Sequence, residues 1–193
     1  MKESLEAGIK SVDGIISGSS VLAMMPRGLQ YRFLDEILEV DRAHIVASYR
    51  FREDEFFYPG HFPGQPTTPG TILLEAMCQC GMTAHSYYFL ALELGIEIAR
   101  QHWVLFTGSE VEWFEQVRPG DLVIMRSEVL AWRQRRIRAR VRMLNEIGAL
   151  VAESTVSGMS VLGSTDAAAE NQPGNKSNHF EGNNKHDLKG SSV

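Results

Sequence analysis

The sequence predicts an α+β fold in which one long buried helix is embraced by an antiparallel sheet of five to seven strands. The stretch 71–94 is apolar nearly all round, the pattern of a helix wrapped by other structure rather than lying on a surface. Residues 136–143 alternate strictly, with arginine at the even positions and apolar side chains at the odd ones, so one face of a strand meets a core and the other meets water. Further β-rich runs are separated by Gly108, by Pro119-Gly120 and by the turn 145–148.

Taken in order, residues 1–20 read as an N-terminal extension, and 37–40 and 44–51 as the first strands. Pro63, Pro66 and Pro69 with Gly60, Gly64 and Gly70 rule out a helix over 59–70, because proline removes donors and fixes φ while glycine permits unusual turns. The helix is therefore expected from Thr71. After it, short strands are expected at 103–107, 111–114, 122–130, 136–143 and 149–161, with Gly108 separating the first two. The folded domain is placed at 21–163. Residues 164–193 carry Phe180, Leu188 and Val193 as their only large apolar side chains, too few to offset the entropy of ordering, and are read as a disordered tail.

Composition bounds the function. A chain of 193 residues with 44% hydrophobic content suffices for one domain with a core. The net charge is −5; the tail's three lysines and four acids account for −1, which leaves −4 on the rest and argues against a nucleic-acid binder. Glu75, Gln79, Gly81 and His85 interrupt the longest apolar stretch, so no membrane span is expected. The first residues carry acids where a secretory signal needs positive charge, and a cytoplasmic location is expected. Cys78 and Cys80 point about 200° apart on a helix and are read as packing residues, with neither a disulfide nor a metal site. No cofactor is expected.

The chemistry-bearing residues sit where the loop becomes the helix. Glu75 follows His61 by fourteen positions, which joins an imidazole, able to exchange protons near neutral pH, to a carboxyl group early in an apolar helix. Two readings of Glu75 stand. One is a structural carboxyl satisfied by backbone donors and by the positive end of the helix; the other is a reactive group paired with His61. The N–H of Gly70 opens the helix and can approach a ligand with no side chain in the way. Gln79, one turn beyond Glu75, either holds that carboxyl or bonds to backbone.

These residues carry a family resemblance. The string Tyr58-Pro-Gly-His-Phe-Pro-Gly-Gln-Pro-Thr-Thr-Pro-Gly-Thr-Ile-Leu-Leu-Glu-Ala-Met-Cys-Gln-Cys-Gly81 resembles the signature of the FabZ-type 3-hydroxyacyl-[acyl-carrier-protein] dehydratases of the hotdog fold. Upstream, the run from Pro26 through Phe33-Leu34-Asp35 looks like the family's N-terminal proline and apolar run. Downstream, Phe106-Thr-Gly and 114–122 look like its strand and Pro-Gly-Asp turn, so the resemblance covers roughly 21–163.

The resemblance implies that a (3R)-3-hydroxyacyl thioester, borne on the phosphopantetheine of an acyl carrier protein, loses water to give a trans-2-enoyl thioester. His61 would be the base at C2, and Glu75 would act on the C3 hydroxyl by donating a proton or orienting a water. The Gly70 N–H would face the thioester oxygen, with Gln79 in support. It also implies a homodimer joined edge to edge, His61 of one chain meeting Glu75 of the other, with assembly into trimers of dimers left open. Glu75, where FabA-type relatives have Asp, implies dehydration without isomerisation.

Phe57, Tyr58, Phe62, Leu74 and Met82 are candidates for an acyl tunnel, the alternative for each being plain core. The arginines at 133–142 read as a solvated strand face with no binding residue assigned. Arg27-Gly28 and Trp113-Phe114 depart from the family pattern, which commonly has His-Arg at the first place and a basic residue at the second. A hotdog thioesterase and a non-catalytic acyl-binding subunit remain as alternative functions.

Overall fold

The computed structural model describes residues 10–11, 16–26 and 28–163. The expected tail, Arg27 and most of the expected N-terminal extension lie outside them. The elements are β1 (Lys10–Ser11), α1 (Gly18–Met24), a 3₁₀ turn (Leu29–Tyr31), β2 (Glu36–Val40), β3 (His44–Arg50), α2 (Gly70–Cys78), a π-helical turn (Gln79–Ala84), α3 (His85–Leu94), α4 (Ile96–Ala99), β4 (His102–Trp113), β5 (Leu122–Arg133), β6 (Arg136–Asn145) and β7 (Leu150–Leu162). Packed structure begins inside the segment read as an extension. Ile16 and Val21 belong to the core, and the Ser17 hydroxyl caps α1 by accepting from the Ser20 N–H at 3.1 Å.

One helical rod runs through α2, the π-helical turn and α3. It begins at Gly70, one residue before the expected start. The widened turn was not foreseen, since nothing in an all-round apolar run marks where the hydrogen bonds change from i+4 to i+5. The sheet has the strand order β1-β2-β3-β5-β6-β7-β4, antiparallel throughout except for the two-residue β1 against β2. The expected break at Gly108 is corrected: 103–107 and 111–113 lie in a single strand, β4, and Phe114 follows it. Gly108 lies at an irregularity in its register with β7, a bulge and not a turn.

The sheet wraps the rod, and the π-helical turn touches β3, β4, β5, β6 and β7. The alternation of β6 is as expected: Ile137, Ala139, Val141 and Met143 are buried, while Arg136, Arg138, Arg140 and Arg142 face out. Gly81 sits at the closest approach of rod to sheet, where a Cβ would meet Val141 and come within 2.6 Å of Ser127 Oγ. Cys78 and Cys80 are buried, and burial pushes the Cys80 thiol up to about 12. Among the described residues no helix is long and apolar enough to cross a membrane.

His85 is fully buried at the start of α3. Its Nε2–H donates to the Asp41 carbonyl at 2.8 Å, and its ring stacks on Phe89, which stacks in turn on Trp132. Burial depresses its pKa from 6.5 to about 4; the Asp41 carbonyl only partly opposes this.

Two stability outcomes follow from this packing. Gly81→Ala should cost about 1–3 kcal/mol in urea unfolding, because the added methyl has no room between rod and sheet. The unfolded chain takes up the His85 proton near pH 6.5 and the folded chain only near pH 4, so stability is full above the first value and falls towards the second. The loss should approach about 3 kcal/mol, and His85→Gln should flatten that part of the pH–stability curve.

Candidate active site

The loop bearing His61 is folded by its own turns. Tyr58 N–H donates to Glu55, Gly60 N–H to Phe57 and His61 N–H to Tyr58, and Gly64 takes the positive φ of 78° that lets the chain reverse. The His61–Phe62 peptide is cis. His61 is half-buried, with its ring stacked on Phe62 at 4.2 Å between centroids. Its Nδ1 lies 2.8 Å from the Thr67 carbonyl oxygen. A carbonyl can only accept, so Nδ1 carries the hydrogen and Nε2 is left with its lone pair free to receive a proton.

Glu75 is half-buried on α2, less enclosed than the apolar rod suggested. Its Oε1 accepts from Gln79 Nε2 at 2.9 Å. Gln79 is fully buried, and both sequence readings of it hold together: Nε2 also donates to the Tyr31 carbonyl at 2.9 Å, and Oε1 accepts from the Phe33 N–H at 2.8 Å. Tyr31 and Phe33 were missed by the sequence reading. They stand more than forty residues from Gln79 and contribute backbone groups, which leave no mark on residue type.

Gly70 is the first residue of α2, and its N–H has no place in the helical ladder, whose first bonds run from Ile72 and Leu73 to Pro69. The space a side chain would fill is taken by Trp113. A Cβ at Gly70 would stand 3.0 Å from Trp113 Nε1 and 3.1 Å from Cε2. A side chain there would have to push the half-exposed indole aside by a few tenths of an ångström. Trp113, noted in the sequence only as a departure, is thus the neighbour that crowds the start of the helix.

The five tunnel candidates divide. Met82 is core, 1% exposed and tight against Gly158, and Tyr58 is buried with its hydroxyl 2.7 Å from Thr68 Oγ1. Phe57 and Leu74 are half-buried against the core, and Phe62 is 57% exposed. A cavity of about 240 Å³ between the rod and β4 is lined by Pro26, Thr83, Tyr87, Trp103, Val104 and Leu105. A larger one of about 870 Å³ lies beside Tyr31, Arg32, Tyr49, Arg52 and Phe56. Neither is lined by His61 or Glu75. Among the described residues no three His, Cys, Asp or Glu side chains gather as a metal site.

Residues 25–157 match the family model described as the FabA-like domain. Similar curated proteins include the 3-hydroxyacyl-[acyl-carrier-protein] dehydratase FabZ of Lawsonia intracellularis, 32% identical over 57% of this chain and 70% of the relative. The FabZ of Thermus thermophilus is 31% identical over 65% of this chain and 84% of the relative. Among solved structures, the dehydratase heterocomplex ApeI:P from Xenorhabdus doucetiae aligns with a TM-score of 0.62 at 13% identity, covering 79% of this chain and 97% of that one. A thioesterase-superfamily protein aligns with a TM-score of 0.54 at 22% identity, covering 73% and 96%. At such identities the structural likeness speaks for the fold.

Gln79→Met should destabilise the protein by about 1–3 kcal/mol, measured by denaturant unfolding, because it strips a buried N–H and a carboxylate of their partners at similar side-chain volume.

Proposed function

Because this chain belongs to the FabA-like family, in the company of the FabZ dehydratases, we propose that it converts (3R)-3-hydroxyacyl-[acyl-carrier-protein] to the trans-2-enoyl thioester in acyl-chain biosynthesis. The observation that carries the reading is the pair of prepared groups: His61 with Nε2 open because Nδ1 is engaged, and Glu75 held by a fully buried amide. The domain doing this spans 21–163, together with the packed residues just before it, and the location is cytoplasmic.

The chemistry then divides as follows. His61 Nε2 takes a proton from C2; the electron pair of that C–H bond becomes the C2–C3 double bond, and the C3–O bond breaks. Glu75 gives the departing hydroxyl a proton, so that water leaves. Charge that gathers on the thioester oxygen meets the Gly70 N–H at the positive end of α2. The proton on His61 returns to Glu75 through solvent before the next turnover. No step calls on a metal or a cofactor.

Two chains complete the site in this reading. β4 ends the sheet, one of its edges unpaired among the described residues, and bears the exposed Trp103, Leu105, Phe106 and Trp113; an edge of that length and apolarity suits pairing with a second copy. The carrier protein fits the outer face of β6. Arg136 and Arg138 are exposed, form no ion pair among the described residues, and line a cavity of about 500 Å³ with Arg133, Thr107 and Ser157. On a chain of net charge −5 this is a concentrated positive surface suited to an acidic partner.

The deciding assay follows enoyl formation against free thiol release from a 3-hydroxyacyl carrier protein. Enoyl product supports the dehydratase, thiol alone would establish a thioesterase, and neither would leave a binding subunit. His61→Ala and Glu75→Gln should each lower kcat by at least about 10²-fold. Mixed in equal amounts, the two inactive variants should recover roughly a quarter of wild-type activity through hybrid dimers if each site draws on both chains. Arg136→Glu with Arg138→Glu should raise KM for the carrier-bound substrate about tenfold or more and leave turnover of a small pantetheine-type thioester unchanged.

A further inference from the structure

We propose that Tyr58 and Thr68 are positioning residues, whose buried hydrogen bond fixes the one peptide unit that orients the His61 ring. The proposal rests on the reading of His61 as the base.

The loop that carries His61 is weakly tied along most of its length. Pro59, Gly60 and residues 62–66 are exposed. The backbone N–H groups of Glu55, Tyr58, Gly60, His61 and Phe62 donate over 3.1 to 3.4 Å, towards or beyond the long end of ordinary N–H···O geometry, and the Gln65 N–H reaches the Phe62 carbonyl at 3.0 Å. At the exit the character changes. His61 Nδ1 to Thr67 O is 2.8 Å, Thr67 N to His61 O is 2.9 Å, Thr68 N to Val117 O is 2.8 Å, and Tyr58 Oη to Thr68 Oγ1 is 2.7 Å. Four short bonds converge on two residues.

Two of the four share a single rigid body. The Thr67 carbonyl and the Thr68 N–H belong to one planar peptide unit, so turning one turns the other. Its N–H is anchored to Val117, 1% exposed in the core ahead of β5, and its carbonyl receives the imidazole hydrogen. A peptide whose N–H is engaged also has a more polarised carbonyl, which strengthens its hold on the ring.

What keeps this unit from rotating is its side-chain contact. Tyr58 and Thr68 are 5% and 3% exposed, so neither hydroxyl can turn to water, and each is the other's partner. Their bond closes the chain on both sides of His61: Tyr58 stands three residues before it and Thr68 one residue after the carbonyl it uses. The sequence reading had offered Tyr58 as a tunnel residue; its hydroxyl is spent on holding the base.

The test measures kcat and KM for Tyr58→Phe, Thr68→Val, Thr68→Ser and the Tyr58→Phe/Thr68→Val pair, using the full chain and a carrier-bound substrate. Each hydroxyl removal should lower kcat about tenfold, with KM changed less than about twofold. Thr68→Ser, which keeps the hydroxyl, should restore kcat. The double variant should lose no more than the worse single variant, since both substitutions break the same bond. Folded single variants with wild-type kcat would overturn the proposal, as would losses that multiply in the double variant. His61→Ala separates this from the parent reading: an active His61→Ala enzyme removes the base assignment, whereas an inactive one beside normal Tyr58→Phe and Thr68→Val enzymes removes only the positioning role.

Discussion

The fully buried amide of Gln79 is the constraint on which the arrangement turns. It binds the Tyr31 carbonyl, the Phe33 N–H and the Glu75 carboxylate at once, joining the N-terminal segment to the central helix at the point where the helix widens. A primary amide offers one acceptor and two donors, and here all of them are engaged away from water. Rotating it by half a turn would set donor against donor at Phe33, so the network admits one orientation. The carboxyl beside it therefore inherits a fixed position from backbone groups of the N-terminal segment.

The other prepared group is held by different means. His61 lies on an exposed loop rather than on the rod, and its direction comes from a short set of bonds at the loop's end. The two groups thus take their settings from different parts of the fold, one from a loop exit and one from the rod. The edge of β4 adds a further requirement, since a row of backbone groups unpaired among the described residues and flanked by Trp103, Leu105 and Phe106 is poorly matched to water.

Much of this was legible in the sequence because it depends on local pattern. The strict alternation at 136–143 gave β6 its two faces, the prolines and glycines ended the loop within one residue of the observed helix start, and the spacing of His61, Gly70 and Glu75 marked the junction of loop and helix as the candidate site. What escaped depends on distance along the chain or on groups every residue shares. The bonds from Tyr31, Phe33 and Thr67 are made by backbone, and Gly108 looks the same in a bulge as in a turn. Trp113 is the instructive miss. Its meaning lies in the space beside Gly70, forty-three positions away, and no reading of either residue alone could supply it.

The widened turn at Gln79–Ala84 has a bearing on how this chain can change. A π turn amounts to one residue inserted into an α-helix and absorbed within a single widened turn, so the helix on either side keeps its phase. Glu75 before it and Tyr87 and Leu90 beyond it, the last two sealed in the interior, hold their directions across the extra residue. Removing one residue from Gln79–Ala84 would close the turn to α-helix with both flanks undisturbed, whereas a deletion in the α-helical turns on either side would rotate everything beyond by about 100°. Tolerance of a shortened rod is thus confined to its widened middle.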